Sequence, residues 1–296
     1  MPAENRFTCH WDESGTDPGT GTKSKSDKPL LVVGGYFAHT DEWQDFEKKW
    51  DPIVKSANLP FFHMVDFANL NRPYNKWNEP RRERFIDRLL HVVEGTSRAW
   101  IAWIIEIDTY MEVIKADNLL NEDIVRAYHI CARRCIESVF LWSRVARHPY
   151  RVLHIFDGGN PAWSSFAASF NAETLDSYNI LAPLAKSKVD VIPLQAADAL
   201  VHQTARHLEM SMGLKMKEPR CLYTRRLWTP PHSGICRVID KATLTRMYRE
   251  QRLVEDLRWR GVDVKRTVNV SRATPLQVRI ARELFSESKW SKADAS

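Results

Sequence analysis

RFTCHW (6–11) runs straight into Asp12-Glu13-Ser14-Gly15, and PLLVVGGYFAHT (29–40) follows after a stretch rich in Gly, Ser, Thr, Lys and Asp. The first run reads as a short strand ending on an acid. The second reads as a buried strand suited to antiparallel pairing with the first, and the polar stretch between them as a flexible loop. A strand pair at the start sets the sheet, and the rest of the chain is read by what it adds to that pair.

Trp43, Phe46, Trp50, Ile53 and Val54 recur at helical spacing and predict a helix over residues 41–57. FFHMVDF (61–67) reads as a short extended piece. Pro80 near its start, Phe85, Leu89 and Val93 on one face, and Gly95 at its end predict a helix over 80–95. RAWIAWIIEID (98–108) reads as a strand. A long helix follows over about 122–147, with Tyr128, Cys131, Cys135, Val139 and Trp142 in its apolar stripe and Pro149 as its stop. RVLHIF (151–156) is a buried strand that ends on Asp157-Gly158-Gly159, and residues 163–170 form a short helix. ILAPLAKSKVDVI (180–192) contains an extended segment, after which Pro193 opens a helix through residue 210. Such interleaving predicts an α/β fold with a mixed sheet flanked by helices. Residues 1–212 form the core domain and 213–296 a basic, mostly helical extension, with helices over 241–260 and 275–287.

Hydrophobic residues make up 44% of the 296, an ordinary share for a chain with a packed core, and most of the eleven Trp read as core residues. The five cysteines are scattered and form no CxxC pair, which points to reduced thiols and a cytoplasmic protein. No apolar run approaches the roughly 18 residues a membrane span requires, and the first residues lack the apolar core of a signal peptide. Net charge is +6, which favours an anionic partner, nucleic acid first. The basic residues cluster late: Lys215, Lys217, Arg220, Arg225 and Arg226, then Arg246, Arg249, Arg252, Arg258 and Arg260. Tyr223, Trp228, Tyr248 and Trp259 are interleaved with them, a mix that suits phosphate contacts and base stacking, although a solvated helix face with its rings turned inward is the more common source of such a pattern.

Three acids stand out by position. Asp12 ends the first strand, Asp157 ends a later buried strand, and Asp198 lies in the first turns of the helix opened by Pro193. Ligands collect at strand ends in open α/β sheets. Carboxylates that converge there repel one another unless a cation sits among them, and an all-oxygen set selects a hard ion such as Mg²⁺ or Mn²⁺. Each acid also has a structural reading, an Asx turn for Asp12 or Asp157 and a solvated helix position for Asp198.

WDESGT (11–16), FFHMVDF (61–67), IFDGGN (155–160) and LAKSKVDVIPLQAADALV (184–201), in that order, resemble the domain of unknown function 3800 family. The resemblance spans residues 6–210 and implies an RNase H-like fold with metal-dependent nuclease activity. It matches Asp12, Asp157 and Asp198 to the metal-holding acids, and places Glu13, His63, Asp66, Lys188 and Gln195 along the site. Asp66 and Glu13 are both candidates for a fourth acid, which leaves one or two ions open. His63 reads either as a hydrogen-bonded core histidine or as a phosphate contact and proton donor to the leaving group. Lys188 reads as a phosphate-neutralising cation or an exposed lysine. Gln195 and His202 share a helix face with Asp198, and with Arg225 and Arg226 they are candidate substrate contacts.

Overall fold

The computed structural model describes residues 7–15, 30–96, 99–116, 127–145, 151–213 and 233–248. Among them the chain forms β1 (Phe7–Ser14), β2 (Leu30–His39), α1 (Thr40–Ser56), α2 (Met64–Asn69), α3 (Glu79–Thr96), β3 (Ala99–Glu106), α4 (Ile107–Ala116), α5 (Ala127–Val145), β4 (Leu153–Asp157), α6 (Trp163–Ala168), α7 (Ala172–Ser177), β5 (Leu184–Lys186), α8 (Pro193–Ser211) and β6 (Ser233–Val238). The strands make one mixed sheet in the order β5-β4-β1-β2-β3-β6. β2 runs antiparallel to its neighbours β1 and β3, β4 lies parallel to β1, β5 parallel to β4, and β6 parallel to β3. The architecture is therefore α/β, with helices covering both faces of the sheet.

Alternation along β1 explains how the two faces differ. Phe7, Cys9 and Trp11 join one apolar cluster with α4, α5 and α6. Thr8, His10 and Asp12 point the other way, toward α1 and α8, and all three are buried. That face is otherwise apolar, with Val32, Tyr36, Trp100 and Ile104 of the neighbouring strands packed on Trp43, Phe46 and Trp50 of α1 and on Ala196, Ala199 and Leu200 of α8. The small side chains of α8 let its backbone lie close over β1, where the polar row runs. β2 comes equally close: a Cβ on Gly35 would collide with the His10 carbonyl, so glycine is required there. Gly15, at φ +118°, turns the chain after β1, and any side chain there would meet the Leu30 carbonyl.

Several sequence expectations shift. FFHMVDF is extended only as far as His63, which precedes α2, so Asp66 sits in a helical first turn. The segment 180–192 holds a strand of three residues, Leu184–Lys186; beyond it Asp190 and Val191 donate their backbone N–H groups to the Ser187 carbonyl and make a turn. α3 runs past Gly95 to Thr96. Helices α4 and α7 and strand β6 were not legible in the sequence pattern. β6 comes from beyond residue 212, the expected end of the core, yet it extends the same sheet, and Ile239, Leu244 and Tyr248 behind it join the α5-side core. Residues 241–248 are helical, as expected of that stretch. The loop over 16–28, the helix over 275–287, Arg225, Arg226 and most of the other late basic residues lie outside the described residues. No helix among the described residues is long and apolar enough to cross a membrane.

Candidate active site

The register of β1 on β4 brings the first two acids together. Trp11 is paired with Phe156, so the next residue on each strand, Asp12 and Asp157, lies at adjacent parallel strand ends. α8 crosses over this point and contributes Asp198, buried like Asp12. The three carboxylates meet on one group, the ammonium of Lys188, carried by the turn after β5. Lys188 Nζ is 2.8 Å from Asp12 Oδ2, 3.3 Å from Asp157 Oδ2 and 3.4 Å from Asp198 Oδ1.

The remaining oxygens are tied to backbone. Asp12 Oδ1 accepts from the Glu13 N–H at 2.8 Å, and Asp198 Oδ2 accepts from the Met64 N–H at 2.6 Å, the first residue of α2. Each of these two acids thus has one oxygen fixed by a backbone donor and one turned to the shared centre. Burial pushes the Asp12 carboxyl up; Lys188 pulls against this, and Asp198, Glu13 and Asp157 add to the rise. For Lys188, burial alone would favour the neutral amine, but Asp12, Asp198 and Asp157 outweigh it and hold the ammonium well above its ordinary range.

Two further groups flank this centre. His63 Nδ1 is 2.8 Å from Asp66 Oδ2, and its Nε2 is 3.9 Å from Asp198 Oδ1. Partial burial works to raise the Asp66 carboxyl, but hydrogen bonds from Asn71 and His63 outweigh it, and the net shift is downward. A carboxylate fixed in this way orients the imidazole with Nε2 toward the aspartates. Glu13 points to the opposite face of β1 from Asp12, as alternation requires. Its half-buried carboxyl nevertheless feels the centre around the strand end: burial raises it to about 7, with Asp157 adding to the rise and Lys188 and an Asn160 hydrogen bond opposing it.

Gln195 plays a scaffold part. Its Oε1 accepts from Trp50 Nε1 at 2.8 Å and from the Phe62 N–H at 3.0 Å, while its Nε2 donates to the Lys188 carbonyl at 2.9 Å. One buried amide therefore joins α1, the segment leading to His63 and the turn carrying Lys188. His202 is buried one helical turn beyond Asp198. The structure thus gathers Asp12, Asp157, Asp198, Lys188, His63 and Asp66 at one place, puts Glu13 on the sheet's other face, and assigns Gln195 to holding the loops. Asn160, Trp50 and Asn71 enter the site's support without a sequence signal of their own: Asn160 follows a Gly-Gly turn, and Trp50 sits in the apolar stripe of α1.

No family model, curated protein or solved structure matches this chain. The chemistry is set by the donors present. Three carboxylates from separate elements around one cationic centre form a hard, anionic set that fits Mg²⁺ or Mn²⁺ by ligand type, with an ammonium standing at the shared centre.

Proposed function

We propose that this protein is an RNase H-like, divalent-metal-dependent nuclease that hydrolyses phosphodiester bonds in nucleic acid, akin to the family its motifs resemble. The observation that carries the reading is the meeting of Asp12, Asp157 and Asp198 on one cationic centre. A central first strand, with an antiparallel partner on one side and a parallel later strand on the other, supports the RNase H-like assignment, because it sets two strand-borne acids side by side under a helix that supplies the third.

Asp12, Asp157 and Asp198 would hold Mg²⁺ or Mn²⁺, which supplies Lewis acidity to a phosphate oxygen and to water. Asp66 fixes the tautomer of His63 so that Nε2 faces the centre, where it can pass a proton to the leaving oxygen. Glu13, raised by burial to about 7 on the opposite face of β1, would take up a proton around the strand end. Arg225 and Arg226, with the basic residues around them, are assigned to the substrate backbone on charge alone. The described cysteines are free thiols, which supports the cytoplasmic placement.

Cleavage of labelled single-stranded, double-stranded and hybrid substrates, each with Mg²⁺ and Mn²⁺, tests the reading. Asp157→Asn is expected to abolish turnover while leaving the fold intact. A folded Asp157→Asn variant cleaving at the wild-type rate would remove the catalytic assignment. The ion pairs of Lys188 favour one other reading, a non-catalytic nucleic-acid-binding protein whose acids are permanently neutralised by that lysine. It requires binding that is indifferent to chelators and no turnover on any polymer.

A further inference from the structure

Lys188 donates a hydrogen bond to Asp12 and pairs ionically with Asp157 and Asp198, so its ammonium faces three carboxylates, one from each of β1, β4 and α8. Its side chain is 15% exposed, so the charge is nearly withdrawn from water. The backbone beneath it is pinned. Gln195 Nε2 holds the Lys188 carbonyl, the Val189 N–H donates to Ser187 Oγ, and the Asp190 and Val191 N–H groups donate to the Ser187 carbonyl. The four-carbon stem above that backbone is the movable part.

A divalent ion using the same inward-facing oxygens would sit about 2.1 Å from each. It would then share the space now filled by Nζ, and two cations at that separation repel strongly in a site shielded from water. The carboxylates can satisfy one cation or the other. We propose that Lys188 is a built-in counter-cation of the metal centre: its ammonium occupies the ion's position, and metal binding and the Lys188 ion pairs exclude each other. The inference rests on the metal-centre reading above. It gives the three packed carboxylates a neutralising cation of the chain's own, and it predicts that loading the centre releases a tethered ammonium at its rim.

Two measurements with Mn²⁺ alone test this on the full chain. In the first, wild-type protein is pulsed with an amine-acetylating ester with and without Mn²⁺, and labelling is read residue by residue by mass spectrometry. Lys188 labelling is expected to rise several-fold with Mn²⁺, while the exposed Lys48 and Lys55 stay unchanged as internal controls. In the second, calorimetry compares wild type with Lys188→Met. The variant is expected to bind Mn²⁺ at least about tenfold more tightly, because no population of the competing ion-paired state remains to reduce the apparent affinity.

Tighter binding by the variant together with Mn²⁺-induced labelling supports the exclusion. Measurable Mn²⁺ binding to wild type with unchanged Lys188 labelling overturns it and leaves the metal centre standing. Absence of Mn²⁺ binding in both proteins removes the metal centre and the inference with it. If Lys188→Met does not fold, the wild-type labelling decides.

Discussion

Lys188 Nζ lies 2.8 Å from Asp12 Oδ2, although the two residues are 176 positions apart in the chain. The sheet that brings this pair together and the helix α8 laid over it also set the site's other long-range contacts, and these have measurable consequences.

Asp198 carries the link between α8 and α2. Asp198→Ala leaves the Met64 N–H without its acceptor and withdraws one of the carboxylates around a buried lysine. Breaking such a buried pair is expected to cost about 3–5 kcal/mol. Asp198→Asn keeps an oxygen for Met64, so it should cost clearly less while still losing turnover. Urea unfolding of the two variants side by side checks this, and equal destabilisation would show that the Met64 hydrogen bond does not separate them.

Gln195 is predicted to act on the site through the scaffold. Gln195→Leu strands Trp50 Nε1, the Phe62 N–H and the Lys188 carbonyl at once, and each buried group left unsatisfied costs about 1–3 kcal/mol. A loss of stability should therefore accompany any loss of cleavage. Lowered cleavage at wild-type stability would instead point to direct substrate contact.

The His63–Asp66 pair is the converse case. Both side chains are about one-third exposed, so the pair adds little to stability. Asp66→Asn and His63→Gln are expected to leave the thermal midpoint within a few degrees of wild type. On a responsive substrate they should lower cleavage by about 10²–10⁴-fold, the usual range for a lost general acid or base. Single-turnover rates set beside melting curves give the answer.

Two sets of buried groups make stability depend on pH in opposite directions. His10 and His154 are held neutral by burial, down to about 3 from an ordinary 6.5, and His10 Nδ1 and His154 Nε2 have no hydrogen-bond partner among the described residues. As pH falls below 6.5 the unfolded chain takes up these protons first. Stability from this source is thus full above 6.5 and declines toward pH 3, at up to about 1.4 kcal/mol per pH unit for each histidine. Glu13 works the other way: raised to about 7 from 4.5, it is protonated first in the folded protein, so its burden on stability appears as pH rises through that window. Melting curves from pH 4 to 8 are expected to show His10→Phe gaining on wild type toward acid and Glu13→Gln gaining toward pH 8. Curves parallel to wild type would remove both assignments.

The sequence by itself determined the α/β class, the antiparallel pairing of the first two strands, the long helices with their apolar stripes, and three acids placed at strand ends or in a first helical turn. These are local properties: alternation in FTCHWDES sorts Asp12 from Trp11, and Pro193 announces α8. Short elements escaped, because α2, α4 and α7 are too brief for periodicity to show, and β6 is stabilised by pairing with β3 more than by its own pattern. Only the tertiary structure decided that Lys188 stands at the centre of the three aspartates and that Gln195 binds the supporting loops. In sequence, a lysine in Lys-Ser-Lys and a glutamine in a helix's first turn stay open between a site role and a solvated one. Their roles come from the β1–β4 register and the close seat of α8, which bring together atoms far apart in the chain and fix partners that local preference cannot specify.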